Sequence, residues 1–276
     1  MSMTVRTNVA SLMAQGSLGR TNKNLASSLA RISSGLRINK AADDAAGLGV
    51  ATNLETSITS TRQAMRNTND GISIIQTAES ATNEVTDILQ RMRELAVQSA
   101  SETLDDDERS YIQDEFLELS DEVERIAQVS EFNGVALSNN TNTQLDVQVG
   151  IQNSTTSRIS IDLGDLRATA LGVASTQLAL SSVTSAQDAL DVLDTALDSV
   201  NAFRSGLGAV QNRLDSALNN SQIYTEALAG AEAGIRDTDF AQETSNLTKY
   251  QIMQQAGVAA LAQAKNINQS VISLLS

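Results

Sequence analysis

Residues 58–95 read ITSTRQAMRNTNDGISIIQTAESATNEVTDILQRMREL, and this stretch decides the fold. Ile58, Met65 and Ile72 stand seven apart, as do Val85 with Met92 and Ile88 with Leu95. That is the repeat of a helix holding one apolar seam against a partner. The spacing extends back through Leu48, Ala51 and Leu54, so one helix is expected from Ala41 to Ser101, roughly 90 Å long at 1.5 Å per residue. No proline interrupts it. The 276-residue chain has none, where average usage of about 5% would supply roughly a dozen.

Helical spacing also fills both ends of the chain. Leu18, Leu25, Leu29, Ile32 and Leu36 fall three, four or seven apart, and Gly35 is placed to end that first helix. After residue 101, Asp105-Asp106-Asp107 reads as a cap and acidic first turn for a third helix. Its seam is Ile112, Phe116, Leu119, Val123 and Ile126, and it is expected to fold back antiparallel. Phe132-Asn133-Gly134-Val135 marks a tight turn. The period then changes to two: Leu145, Val147, Val149 and Ile151 alternate with polar residues, as do Ile159, Ile161 and Leu163, which predicts one β-hairpin around the loop 152–157. Residues 164–182 read as a polar connection. Leu190, Leu193, Leu197, Val200, Leu207, Val210, Leu214 and Leu218 form a second long seam, and Leu247, Met253, Leu261, Ile267, Val271, Leu274 and Leu275 belong to a final helix. The fold class expected is mainly α: a long antiparallel helical coiled-coil rod with paired terminal helices and one small β-hairpin. The divisions are 1–40 with 241–276, 41–135 with 183–240, and 136–182.

Composition removes most chemistry. Histidine and cysteine are absent, which excludes the usual general base, the usual zinc ligand, disulfides and thiol nucleophiles. Asp105–Glu108 lacks the alternating spacing and central glycine of a calcium loop. Gly47-Leu48-Gly49 and Gly206-Leu207-Gly208 follow no strand, so neither is a phosphate loop. No enzyme activity, cofactor or metal is expected. The net charge is −14, yet residues 1–40 hold six basic side chains and no acid. The acidic remainder and the scarcity of aromatics (3%) argue against nucleic acid. No apolar run approaches the roughly 20 residues of a membrane span, and the N-terminus lacks the pattern of a cleaved signal peptide. Apolar surface left over on the terminal helices points instead to self-association, and a head-to-tail interface that does not close gives a helical polymer.

Longer motifs carry a resemblance. Leu29–Asn39 (LARISSGLRIN), Ala42–Leu48 (ADDAAGL), Asn69–Ser73 (NDGIS), Leu89–Ser99 (LQRMRELAVQS) and Glu131–Gly134 (EFNG) resemble the N-terminal half of the bacterial flagellins. Leu207–Leu214 (LGAVQNRL), Asp237–Phe240 (DTDF) and Gln254–Gly257 (QQAG) are similar to its C-terminal half, and together the match covers residues 3–135 and 184–276. The resemblance implies a non-enzymatic subunit of the flagellar filament, exported unfolded through the flagellar secretion apparatus without signal cleavage and located outside the cell. It implies a polymerisation core of paired terminal helices around Leu25, Leu29, Ile32, Leu36, Leu247, Leu261, Val271, Leu274 and Leu275. The implied partners are other copies, an export chaperone on the C-terminal helix, and the filament cap and hook-junction proteins. A flagellin-sensing receptor of animals is implied at the positions matching Arg91, Leu95 and Glu115. The centre departs from many flagellins, which insert large outer domains where this chain has only residues 136–182. The hook–filament junction protein, which shares the terminal helices, is the nearest alternative.

Overall fold

A computed structural model describes residues 7–139 and 142–273, with residues 267–273 described by their backbone alone. The elements run α1 (Val9–Ser34), α2 (Ala45–Ser99), α3 (Asp106–Val129), β1 (Glu131–Phe132), β2 (Val135–Ala136), β3 (Gln144–Gln148), β4 (Arg158–Asp162), α4 (Ala168–Leu171), α5 (Val183–Arg236) and α6 (Phe240–Ser273). The chain divides into two compact units, residues 1–58 with 226–276, and residues 59–225. The mainly α class with paired terminal helices is as expected, and the strand content is larger by one pair.

In the first unit α1 and α6 pack together as an antiparallel pair. Asn8 caps α1, its side-chain oxygen accepting from the Ser11 amide at 3.0 Å while its Nδ2 donates to the Ala264 carbonyl at 2.9 Å. Gly35 ends α1 in the left-handed region at φ 74°, as the sequence predicts. The two chain halves meet again just beyond: Arg37 N donates to Arg236 O and Thr238 N to Gly35 O, an antiparallel bridge pairing Leu36 with Asp237. Ile38 and Ala51 are the apolar side chains buried nearby.

In the second unit the part of α2 from Thr59 onward buries a strict 3-4 series: Thr61, Ala64, Thr68, Gly71, Ile75, Ala78, Thr82, Val85, Leu89, Met92, Ala96 and Ser99. This corrects the expected seam. Met65 and Ile72 lie beside it, half-buried, because small and hydroxyl-bearing residues hold the centre. Thr68 and Thr82 can be buried there because each donates its hydroxyl to the carbonyl four residues back. The part of α5 up to Thr225 answers with Ala186, Ala189, Leu193, Ala196, Val200, Leu207 and Leu214. Arg93 with Asp194 (2.6 Å) and Arg204 with Glu79 (3.6 Å) fix the antiparallel register of these two helices. α3 adds Ile112, Phe116 and Val123 to the same core and begins with a full capping box between Asp105 and Glu108.

Three expectations for the centre need correction. The turn at Asn133 (φ 50°) and Gly134 (φ 78°) joins a short strand pair of its own, β1–β2, both φ values being positive as a two-residue hairpin turn demands. The ladder of β3 with β4 ends at Gln148–Arg158, so Ile151 lies past the strand and is exposed. Residues 164–182 are no polar tether: Leu166, Ala168, Leu171, Val173, Ala174, Leu178 and Leu180 are all buried. Their backbone is satisfied by side chains of the helices, with Glu124 accepting from Ala168 N at 2.9 Å, Gln113 accepting from Leu180 N, Ser120 donating to Val173 O at 2.9 Å and Ser99 donating to Leu180 O at 2.7 Å. Buried Arg109 completes that end by donating to the carbonyls of Ser99, Ser101 and Leu104.

Two measurements check this account. Asp105→Ala removes the cap of α3 and should lower stability by about 1 kcal/mol in urea unfolding followed by circular dichroism. The Arg93 hydrogen bond holds Asp194 below the usual carboxylate range, and Arg167 does the same to Asp165. Both carboxyls therefore favour the fold above the ordinary carboxylate pKa and cease to do so as pH falls through their lowered values, so the urea midpoint should drop below roughly pH 4.

Candidate assembly surface

The first unit shows how its helices divide their faces. On α1 the covered positions are Ser11, Ala14, Leu18, Thr21, Leu25, Ser28 and Ile32, and on α6 they are Glu243, Leu247, Tyr250, Gln254, Gly257, Leu261 and Ala264, with Arg31 and Asn246 flanking. Both are unbroken 3-4 series, and both are rich in small or polar residues. A Cβ at Gly257 would lie 3.2 Å from Leu18 Cδ1, so even an alanine there would displace the Leu18 side chain slightly. Gln254 donates to Asn22 at 2.9 Å across the pair. Glu243 is the buried acid of the seam: it accepts from the Ser28 hydroxyl and lies 3.9 Å from the Arg31 guanidinium.

The large apolar side chains are mostly turned outward. On α1 Val9, Leu12, Met13 (70% exposed) and Leu29 (51%) face away from α6, and on α6 Phe240, Ile252, Met253 and Val258 (54%) are exposed. An apolar surface this rich on a chain of net charge −14 needs a partner. No helix among the described residues is long and apolar enough to cross a membrane, and no group of acidic side chains there could hold a metal.

The residues expected to form a polymerisation core separate accordingly. Leu25, Ile32, Leu36, Leu247 and Leu261 are half-buried within the unit, while Leu29 is turned outward. Val271 lies on the backbone of α6 with its side chain outside the described positions, and Leu274 and Leu275 lie outside the described residues. The outward set Val9, Leu12, Met13, Ile252 and Val258 escaped the sequence reading. Its signal was present: these positions fall between the 3-4 seam positions once serine, threonine and glycine are counted as seam residues.

In the second unit Arg91 and Glu115 are brought together. Arg91 bonds Glu115 through Nε and Nη2 at 3.1 and 2.8 Å and Glu94 through Nη1 at 2.9 Å, and these bonds raise its already high pKa. Leu95 does not share their surface. It is 1% exposed, packed in the core with Met92, Ile112 and Phe116.

Comparison with known proteins gives the family. Residues 5–143 match the family profile "Bacterial flagellin N-terminal helical region" and residues 190–275 match "Bacterial flagellin C-terminal helical region". A flagellin of Halalkalibacterium halodurans is 40% identical over 99% of this chain and 100% of its own length. A flagellar filament 30.7 kDa core protein of Treponema maltophilum is likewise 40% identical, with the same shares covered. The crystal structure of Bacillus cereus flagellin is 29% identical with a TM-score of 0.50, covering 56% of this chain and 88% of that one. A flagellar hook-associated protein from Vibrio parahaemolyticus, at 15% identity and TM-score 0.59 over 71% of this chain and 100% of its own, shares the fold alone.

Glycines separate seam from outer face experimentally. Gly257→Leu should overpack against Leu18 and cost about 1–3 kcal/mol. Gly16→Ala, with nothing within 4 Å of the new methyl, should stabilise the monomer by up to ~1 kcal/mol. Thermal unfolding of the monomer by circular dichroism reads both.

Proposed function

The chain belongs to the bacterial flagellin family, and from that premise we propose that it assembles through the outward apolar faces of α1 and α6. It is a structural subunit of the flagellar filament and not an enzyme. The observation that carries the assembly reading is that the terminal pair covers Leu18, Leu25, Ile32, Leu247 and Leu261 only in part and leaves Val9, Leu12, Met13, Leu29, Ile252, Met253 and Val258 outside. A monomer gains nothing from this arrangement. A polymer gains much, since each outward side chain removed from water contributes about 1.5–3 kcal/mol on full burial.

Residues 1–40 and 241–276 then form the inner core of the filament, with Leu25, Leu29, Ile32, Leu36, Leu247, Leu261, Val271, Leu274 and Leu275 contributing to it. The remaining partners belong to the same reading. Export in an unfolded state, without cleavage of a signal, precedes assembly outside the cell. Exposed Ile252, Met253 and Val258 offer an export chaperone an apolar helix face. The filament cap and hook-junction proteins meet the same terminal pair. An animal flagellin receptor would engage the Arg91–Glu115 pair from solvent, and Leu95 would support that pair from beneath.

Leu29→Lys and Val258→Glu test the assembly face. Both residues are exposed in the monomer, so stability should change by less than about 0.5 kcal/mol. Negative-stain electron microscopy should show long uniform tubes for the wild-type protein grown on sheared filament seeds, and none for either variant. Tubes of normal yield from both variants would refute the reading, as would a wild-type chain that never elongates.

A further inference from the structure

Peroxide chemistry has few places to act on this chain. Cysteine, tryptophan and histidine are absent, and six methionines carry the only sulfur. A hydroperoxide therefore meets thioethers as its principal two-electron target. Met1 and Met3 lie outside the described residues. The fold sorts the other four. Met92 is fully buried in the core of the second unit, with Leu89 and Phe116, and Met65 is half-buried on α2. Met13 (70% exposed) and Met253 (45%) stand in solvent, one on α1 and the other on α6.

Each lies among other outward apolar residues, Met13 with Val9 and Leu12, Met253 with Ile252. The two sulfurs occupy separate places. Gln254 bonds Asn22 across the pair at 2.9 Å, so Met253 is level with about Lys23 of α1. That is some ten residues, or about 15 Å, along the helix from Met13. Both helices of the terminal pair thus carry one open, oxidisable residue on the outward face.

We infer that Met13 and Met253 are oxidation sites that control assembly: a hydroperoxide converts them to sulfoxides in the free subunit, which then no longer adds to a filament. The inference rests on the filament reading above. In the step, the methionine sulfur attacks one peroxide oxygen; an S–O bond forms, the O–O bond breaks, and the departing hydroxide takes up the proton of the transferred oxygen and leaves as water. Sulfur gives up two electrons and the peroxide gains them. The sulfoxide oxygen is a strong acceptor that an apolar neighbour cannot satisfy, so covering it leaves a buried polar atom unpaired. The same side chains, once covered in a filament, are shielded from the oxidant. The reaction therefore stops growth and spares tubes already built, and methionine sulfoxide reductases make it reversible.

Selection by the growing filament tests this without altering the sequence. Monomer is treated with hydrogen peroxide until Met13 and Met253 are partly oxidised, the peroxide is removed, and the mixture is grown on sheared filament seeds. Peptide mass spectrometry then compares the tubes with the monomer left in solution. Sulfoxide at each position should be depleted about tenfold in the tubes, the effect of one unpaired buried acceptor. Fully treated monomer should elongate seeds roughly tenfold or more slowly than untreated monomer, and methionine sulfoxide reductases with a thiol reductant should restore it to within about threefold. Its melting midpoint by circular dichroism should stay within about 2 °C of the untreated chain, since both sulfurs face solvent. Peroxide applied to finished filaments should oxidise both residues at least about tenfold more slowly than in monomer. Equal sulfoxide in tubes and leftover monomer, a loss of elongation that the reductases do not reverse, a midpoint lowered further, or filaments oxidised as fast as monomer would each overturn the inference. Untreated monomer that never elongates is the separate result that overturns the filament reading as well.

Discussion

Two helices that meet along small and polar residues interspersed with half-buried leucines cover only a narrow strip of one another, and the rest of this structure follows from that constraint. Between α1 and α6 the strip runs through Ser11, Thr21 and Ser28 on one side and Gly257 and Ala264 on the other. Such residues contribute little apolar area, at about 25 cal/mol for each Å² buried. Hydrogen bonds from Asn8, Gln254 and Ser28 add to what that burial supplies. Its large apolar side chains are left for other molecules to cover. A weak internal seam and a strong external face are two results of one distribution of residues.

The second unit begins from the same kind of seam and closes it differently. Thr61, Ala64, Thr68, Gly71 and Ala78 are no larger than their counterparts on α1. Here β3–β4 packs on the small residues, with Val147 so near Gly71 that an added Cβ would lie 3.0 Å from it. Farther along, the side chains grow to Leu89, Met92 and Phe116, and residues 166–180 fold over them. Burying that connection would strand its amides and carbonyls were it not for Gln113, Ser120, Glu124, Ser99 and Arg109, polar side chains that stand inside the fold to receive them. This unit buries a larger core because three long helices, two strand pairs and residues 166–180 close over it, where the terminal pair has two helices.

Much of this was legible from the residues. The helices begin and end within a few positions of where spacing, Gly35, Asp105 and Asn133-Gly134 put them. What escaped has a common cause. Large apolar residues alone point to Met65 and Ile72 as the seam, whereas Thr61, Thr68 and Thr82 hold its centre. A threonine whose hydroxyl returns to its own helix is an apolar residue in practice. The segment 164–182 was judged by its serines and threonines, although it contains Leu166, Leu171, Val173, Leu178 and Leu180, spaced at neither 2 nor 3.6 because it is mostly irregular. Leu95 was grouped with Arg91 and Glu115 by resemblance, and only packing could show that its side chain turns inward.

Glu243 deserves a mechanical reading. A 3-4 seam of small residues and leucines is almost periodic, so one helix could slide past the other by a heptad and meet similar surroundings at many positions. The carboxylate cannot. Moved seven residues, it would leave the Ser28 hydroxyl and the neighbourhood of Arg31 and face Thr21, whose hydroxyl already donates to the Ser17 carbonyl. Asn8 would lose the Ala264 carbonyl in the same slip. The terminal pair is thus keyed, like a shaft in its slot, against gliding of one helix along the other.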